Sequence, residues 1–141
     1  MAIALNVGDL LIGEGYRLIA ETSASDAQIT AMTKVAAEGQ RHLCRGQGAE
    51  LIWQKKPEPL KSREVLEIFR QKTAPAFEVA LRLGSICADL EAYNEASEII
   101  GQYSENLGIA YQIRDDLTDL GEEGETNDLK GLRPTLLLAV A

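Results

Sequence analysis

The stretch that most constrains this chain is Tyr111-Gln112-Ile113-Arg114-Asp115-Asp116-Leu117-Thr118-Asp119. On a helix advancing about 100° per residue, Gln112, Asp115, Asp116 and Asp119 share one arc of roughly 100°. Ile113, Leu117 and Leu120 lie beside that arc, so one wall carries three carboxylates and a carboxamide. Like charges at neighbouring helix positions are mildly destabilising, and a bound divalent cation removes the conflict. Hard oxygen ligands suit magnesium, which keeps several waters and takes one or two carboxylates together with substrate phosphates. The same pattern by itself also suits a solvated acidic helix end. The preceding residues place Gly101, Gly108 and Ala110 where neighbouring helices could approach closely. An apolar periodicity runs from Ala96 through Ile99, Ile100, Tyr103, Leu107 and Ile109. The pattern predicts a helix packed inside a bundle.

The rest of the chain supports an all-α reading. Apolar residues make up 45% of the sequence and aromatic ones only 5%, a composition suited to a helical core of aliphatic side chains. At 141 residues it is read as a single domain. A net charge of −8 argues against a nucleic-acid surface, which needs clustered Lys and Arg. Cys44 and Cys87 have no metal-binding spacing and are expected as buried, reduced thiols. With no signal-peptide pattern and no apolar run of about 18 residues, the chain reads as soluble and cytoplasmic.

A broadly apolar helix is expected from Ala2 to Glu21. Ser25 with Gln28 signals a capping box that opens a long helix from about Asp26 to Gln54, in which Gly39, Gly46 and Gly48 imply close contact or irregularity. His42 is alone and reads as a surface or core histidine. Lys55-Lys56-Pro57-Glu58-Pro59 ends that helix. Ser62 is the expected N-cap of the next, which runs to about Asp89 and is kinked by Pro75 beside Lys72-Thr73. Lys72 alone reads as a solvated lysine, but a lysine and a hydroxyl at a break in an apolar helix also make good diphosphate ligands. Asn94 is the expected cap of the aspartate helix, Gly121 to Asn127 reads as an acidic loop, and Pro134 suits the first turn of a short last helix.

The run from Gly108 to Asp119 resembles the second aspartate-rich motif of the trans-isoprenyl diphosphate synthases, or polyprenyl synthetases. Other segments agree in order. Gly8-Asp9-Leu10-Leu11 resembles the family's Gly-Asp helix, and Gly46-Gln47-x-x-Glu50 its Gly-Gln-x-x-Asp segment with glutamate for aspartate. Lys72-Thr73 resembles its Lys-Thr pair, and Asp128-Leu129 with Arg133-Pro134-Thr135 its Asp-Leu-x-x-Gly-Lys-x-Thr segment, with Leu132 in place of glycine.

The resemblance implies an all-α helical bundle around a deep cavity. In it, Mg2+ bridges aspartates to the diphosphate of an allylic substrate, which ionises before attack by isopentenyl diphosphate. Carried over by position, Asp115, Asp116 and Asp119 are the implied metal ligands. Lys72, Thr73 and Gln112 are implied as catalytic residues holding the allylic diphosphate, and Arg133 as a phosphate contact. The implied assembly is a homodimer or heterodimer through residues 1–54. The family's first aspartate-rich motif would lie upstream of Gly8-Asp9, and Gly124-Glu125 stands where a Gly-Lys pair is expected. The expectation is therefore the central to C-terminal portion of a prenyl synthase, truncated at both ends and inactive alone. The alternatives are a non-catalytic regulatory or partner subunit, or a fragment of a squalene-type synthase or class I terpene cyclase. The cyclase motif prefers Ser or Thr where Asp119 stands.

Overall fold

The computed structural model describes residues 2–119 and 134–140, Asp119 by its backbone alone. The described residues form helices α1 (Ala2–Ala20), α2 (Asp26–Lys55), α3 (Ser62–Lys72), α4 (Ala74–Ala88), α5 (Leu90–Asp119) and α6 (Leu136–Val140), without a strand among them. The acidic segment 121–127, expected as a loop, lies outside the described residues.

Local signals set most helix ends. Ser25 and Gln28 form the expected capping box: the Ser25 hydroxyl accepts from the Gln28 amide at 3.3 Å, and the Gln28 carboxamide accepts from the Ser25 amide at 3.0 Å. The same Gln28 donates to the Ile86 carbonyl at 2.7 Å, which ties the start of α2 to the end of α4. Two expected caps are corrected. Ser62 is the first residue of α3, and the flanking Lys61 amide is instead satisfied by Glu64 Oε2 at 2.8 Å. Asn94 lies inside α5, because Asp89 takes extended backbone and its Oδ1 accepts from the Glu91 and Ala92 amides at 2.8 and 3.0 Å. The aspartate caps the helix a turn earlier than Asn94 could.

Helices α2, α4 and α5 pack side by side, α3 lies against α2 and α5, and α1 runs along α2. Met32, Val65, Phe69, Ala74 and Ile86 form the buried apolar core. Each large one of these contributes about 1.5–3 kcal/mol by leaving water. The apolar periodicity of α5 marks its packed face only in part: Ala96, Ile100, Leu107 and Ile109 are half-buried, but Ile99 and Tyr103 are 70% and 58% exposed, whereas Ser104 and Gly108 are buried. Small residues let α5 approach closely where larger ones could not. Arg82 joins α4 to α5, with its guanidinium donating to Glu78 at 2.7 Å, to Tyr93 Oη at 3.0 Å and to Ser97 Oγ at 2.6 Å.

The cysteines differ from expectation. Both are free but exposed, Cys44 beside Gln40 and Cys87 with its sulfur 3.3 Å from Met32 Sδ. Among the described residues no helix is long and apolar enough to cross a membrane.

Candidate functional site

The site is built around a helix break. Pro75 has no N–H to offer the Gln71 carbonyl one turn back, and α3 stops at Lys72 while α4 starts at Ala74. What reads as one kinked helix is thus two, with Thr73 (φ −119°, ψ −43°) as the hinge between them. Two other helices close on this break, each through a glycine. A Cβ on Gly46 of α2 would stand 2.5 Å from Gln71 C and Lys72 N, and one on Gly108 of α5 would stand 2.6 Å from Ala74 N and Cα. Carbon atoms pack at about 3.5–4.0 Å, so neither position admits a side chain without the helices separating. Gly39 meets Val79 in a similar way, whereas Gly48 faces open space and Ala110 is exposed.

Clasping the break fixes Lys72. Its Nζ lies 2.7 Å from Glu50 Oε2, with the glutamate side chain 5% exposed and the lysine 26%. Glu50 Oε1 also accepts from Gln54 at 3.4 Å. A buried carboxylate must be paired to be tolerated, so Glu50 holds the ammonium in one place while leaving part of it accessible. Lys72 is therefore not a freely solvated lysine.

Helix α5 brings the carboxamide and carboxylates to the same end. It runs antiparallel to α4, as Ser97 meets Arg82 and Gly108 meets Ala74. One further turn along α5 carries Gln112 past the first residue of α4, to the level of the Lys72-Thr73 break. The rings of Phe77 and Tyr111 pack at 5.9 Å and 60°, which joins α4 to α5 here, and within α5 the Arg114 guanidinium lies over Tyr111 at 5.1 Å. Gln112 is half-buried, Asp115 is exposed and Asp116 is buried. Asp116 Oδ2 accepts from the Leu136 amide at 2.8 Å. The Asp119 side chain and Arg133 lie outside the described residues. Among the described residues no group of three carboxylate, histidine or cysteine side chains is assembled as a metal cage. The hard-oxygen donors present nonetheless fit magnesium, which needs one or two carboxylates when phosphate oxygens and water complete its shell.

Two features escaped the sequence reading. The position of Glu50 in the sequence gives it no role; the approach of α2 to α3 makes it the partner of Lys72. Arg82 stands in no motif, although Glu78 four residues earlier signals a pair on one helix face. His42 is exposed and lines a groove of about 430 Å³ between α2 and α4, together with Glu38, Glu78 and Arg82.

The Polyprenyl synthetase family matches residues 1–141. The chain is 30% identical over 131 residues to the farnesyl diphosphate synthase of Haemophilus influenzae, covering 91% of this chain and 43% of that enzyme. It is 30% identical over 147 residues to the geranylfarnesyl diphosphate synthase of Aeropyrum pernix, covering 98% and 45%. The fold matches the geranylgeranyl pyrophosphate synthetase of Pyrococcus horikoshii with a TM-score of 0.84 at 28% identity, over 99% of this chain and 43% of that one. A Helicobacter pylori geranyltransferase, solved with magnesium and isoprenyl diphosphate, matches in fold with a TM-score of 0.81 at 18% identity, over 96% and 46%. The chain thus spans under half the length of these relatives. With the family matched along residues 1–141 of this chain and the helical arrangement shared with its solved relatives, the chain belongs to the polyprenyl synthetase family.

Proposed function

We propose that this chain carries one wall of a prenyltransferase site in isoprenoid biosynthesis, where an allylic diphosphate condenses with isopentenyl diphosphate. The observation that carries this reading is the break at Thr73, clasped by Gly46 and Gly108 and presenting a Lys72 ammonium that Glu50 orients. In this reading Lys72, Thr73 and Gln112 hold the allylic diphosphate. Lys72 donates charge-assisted hydrogen bonds, Thr73 a hydroxyl and Gln112 an amide N–H. Arg133 adds a phosphate contact. Asp115, with Asp119 one turn further on, holds Mg2+. When bound, the metal supplies positive charge that stabilises the departing diphosphate. The chain's own part is to fix that leaving group between an oriented cation and an acidic wall, so that little reorganisation is needed as charge develops.

Association with a second chain is part of the proposal. No residue of α1 is buried, and Ile3, Leu5, Leu10, Leu11 and Leu18 are each at least 60% exposed. Exposed apolar side chains around so much of one helix are the mark of a covered surface, and residues 1–54 are read as the interface of a homodimer or heterodimer. That face also suits a non-catalytic partner subunit, the second reading.

Calorimetric titration with geranyl diphosphate, with and without magnesium, tests the first reading. Magnesium-dependent binding that Asp115→Ala abolishes is the expected result. A folded chain that binds equally with and without magnesium, or that does not bind, refutes it.

A further inference from the structure

The two adjacent aspartates of the acidic wall do not share a task. Successive residues on a helix point about 100° apart, and the structure resolves the pair accordingly: Asp115 is exposed, while Asp116 is 5% exposed. Asp116 Oδ2 accepts from the amide of Leu136, twenty residues on, at 2.8 Å. Leu136 is the first residue of α6, and its amide is one of the four at a helix start that have no partner within the helix. The Leu138 amide, another of the four, donates at 3.2 Å to Thr135 Oγ1, on a threonine that is 2% exposed. At the far end of α6 the Ala139 carbonyl accepts from the Ser62 hydroxyl at 3.4 Å.

These contacts satisfy groups at the start of α6 that have no partner within the helix. Helix α6 is held from outside, and among the described residues that hydrogen-bond to it Asp116 alone brings a charge. A buried carboxylate facing the positive end of the helix dipole makes a charge-assisted bond, stronger than a neutral one. Leu138 and Ala139 line a groove of about 300 Å³ with Trp53, Leu60 and Val65. Seating α6 therefore also seats its apolar side chains against α2 and α3.

We propose that Asp116 is a positioning residue that docks α6 onto the end of α5, and not a metal ligand. The latch stands on the hydrogen bond and burial alone; the contrast with Asp115 rests on the magnesium reading above. The acidic motif is then divided, with Asp115 turned toward the ligand and Asp116 turned inward to hold the segment that follows. A neutral acceptor of the same shape can serve a latch but not a magnesium site.

The test compares Asp116→Asn, Asp116→Ala and Asp115→Asn in the full 141-residue chain by amide hydrogen exchange at Leu136 and by titration of inorganic diphosphate with magnesium. Protection of the Leu136 amide is expected to fall about tenfold in Asp116→Ala and to stay within about twofold of the parent in Asp116→Asn. Magnesium-dependent diphosphate binding is expected to survive Asp116→Asn and to be lost in Asp115→Asn. The proposal is overturned if Asp116→Ala leaves Leu136 protected, if Asp116→Asn loses protection as fully as Asp116→Ala, or if Asp116→Asn keeps protection but loses magnesium binding. If the parent chain binds no diphosphate, the magnesium reading fails while the exchange data still decide the latch.

Discussion

Replacing Gly46 with alanine pits helix propensity against packing, and the structure says which wins. Alanine is preferred over glycine inside a helix by about 1 kcal/mol, so on local grounds Gly46→Ala stabilises. The new methyl, however, would lie 2.5 Å from Gln71 C and Lys72 N and 2.8 Å from Gln71 O. Reaching an ordinary contact of about 3.5 Å requires α2 and α3 to part by roughly 1 Å. The neighbours are backbone atoms that no rotamer change can move, which puts the strain near the upper end of the usual overpacking cost of about 1–3 kcal/mol. The net effect is a loss of about 2 kcal/mol, or roughly 8 °C in Tm for a chain of this size. Gly48, two residues away on the same helix with nothing within 4 Å, is the internal control, and Gly48→Ala should gain about 1 kcal/mol. Urea unfolding of the two variants, with unchanged m-values, measures both. Equal effects of the two substitutions, or a stabilised Gly46→Ala, would refute the claim that Gly46 is where α2 clasps the break.

Other consequences follow from single contacts. Glu50→Ala leaves the Lys72 ammonium without its carboxylate; because Lys72 is about a quarter exposed, the expected loss is about 2–3 kcal/mol, below the full cost for a buried pair. The double variant Glu50→Gln, Lys72→Met should be more stable than Glu50→Ala, and a urea series in which it is less stable contradicts the pairing. Glu67 is held down to a pKa of about 2, against an ordinary 4.5, chiefly by its hydrogen bond from Arg70. A lowered carboxyl pKa adds stability above the unfolded value, and that contribution disappears as pH falls from about 5 toward 2. As the pair is close to half exposed its worth is under about 1 kcal/mol, and a Tm difference between Glu67→Gln and the parent that does not shrink over that range rules this out. Ser104 is fully buried and its hydroxyl has no hydrogen-bond partner among the described residues. Ser104→Ala should therefore raise stability by about 0.5–1 kcal/mol, and calorimetry showing a lowered Tm means that the hydroxyl is satisfied in solution.

How much was legible in the sequence depends on how far apart the interacting groups lie along the chain. The Ser25–Gln28 box and the interruption at Pro75 were legible because each follows from the chemistry of neighbouring residues. Gly46 and Gly108 were marked as sites of close approach, but so were Gly48 and Ala110, since the identity of a small residue does not say which helix face meets a neighbour. The same gap explains why Ile99 and Tyr103 are exposed despite their apolar spacing, and why Cys44 and Cys87 are not buried. Asn94 failed as a cap because it competed with Asp89, whose extended backbone and carboxylate start α5 sooner. The pairing of Lys72 with Glu50 spans 22 residues and that of Asp116 with Leu136 spans 20. Neither could be read without the packing that brings them together. The family resemblance matches Lys72, Thr73, Gln112 and Asp115 by position, and the helix break with its two glycines fixes where Lys72 and Thr73 stand.

The central claim is that Lys72 and Asp115 grip one diphosphate from two sides. A double-mutant cycle of Lys72→Met and Asp115→Asn, read by calorimetric titration with geranyl diphosphate and magnesium, tests it most directly. Each single variant should weaken binding at least about tenfold, and the double variant should lose less than the product of the two, with a coupling of about 1 kcal/mol or more. Strictly additive losses would show that the two residues do not act on the same ligand, and the account of this site would be wrong.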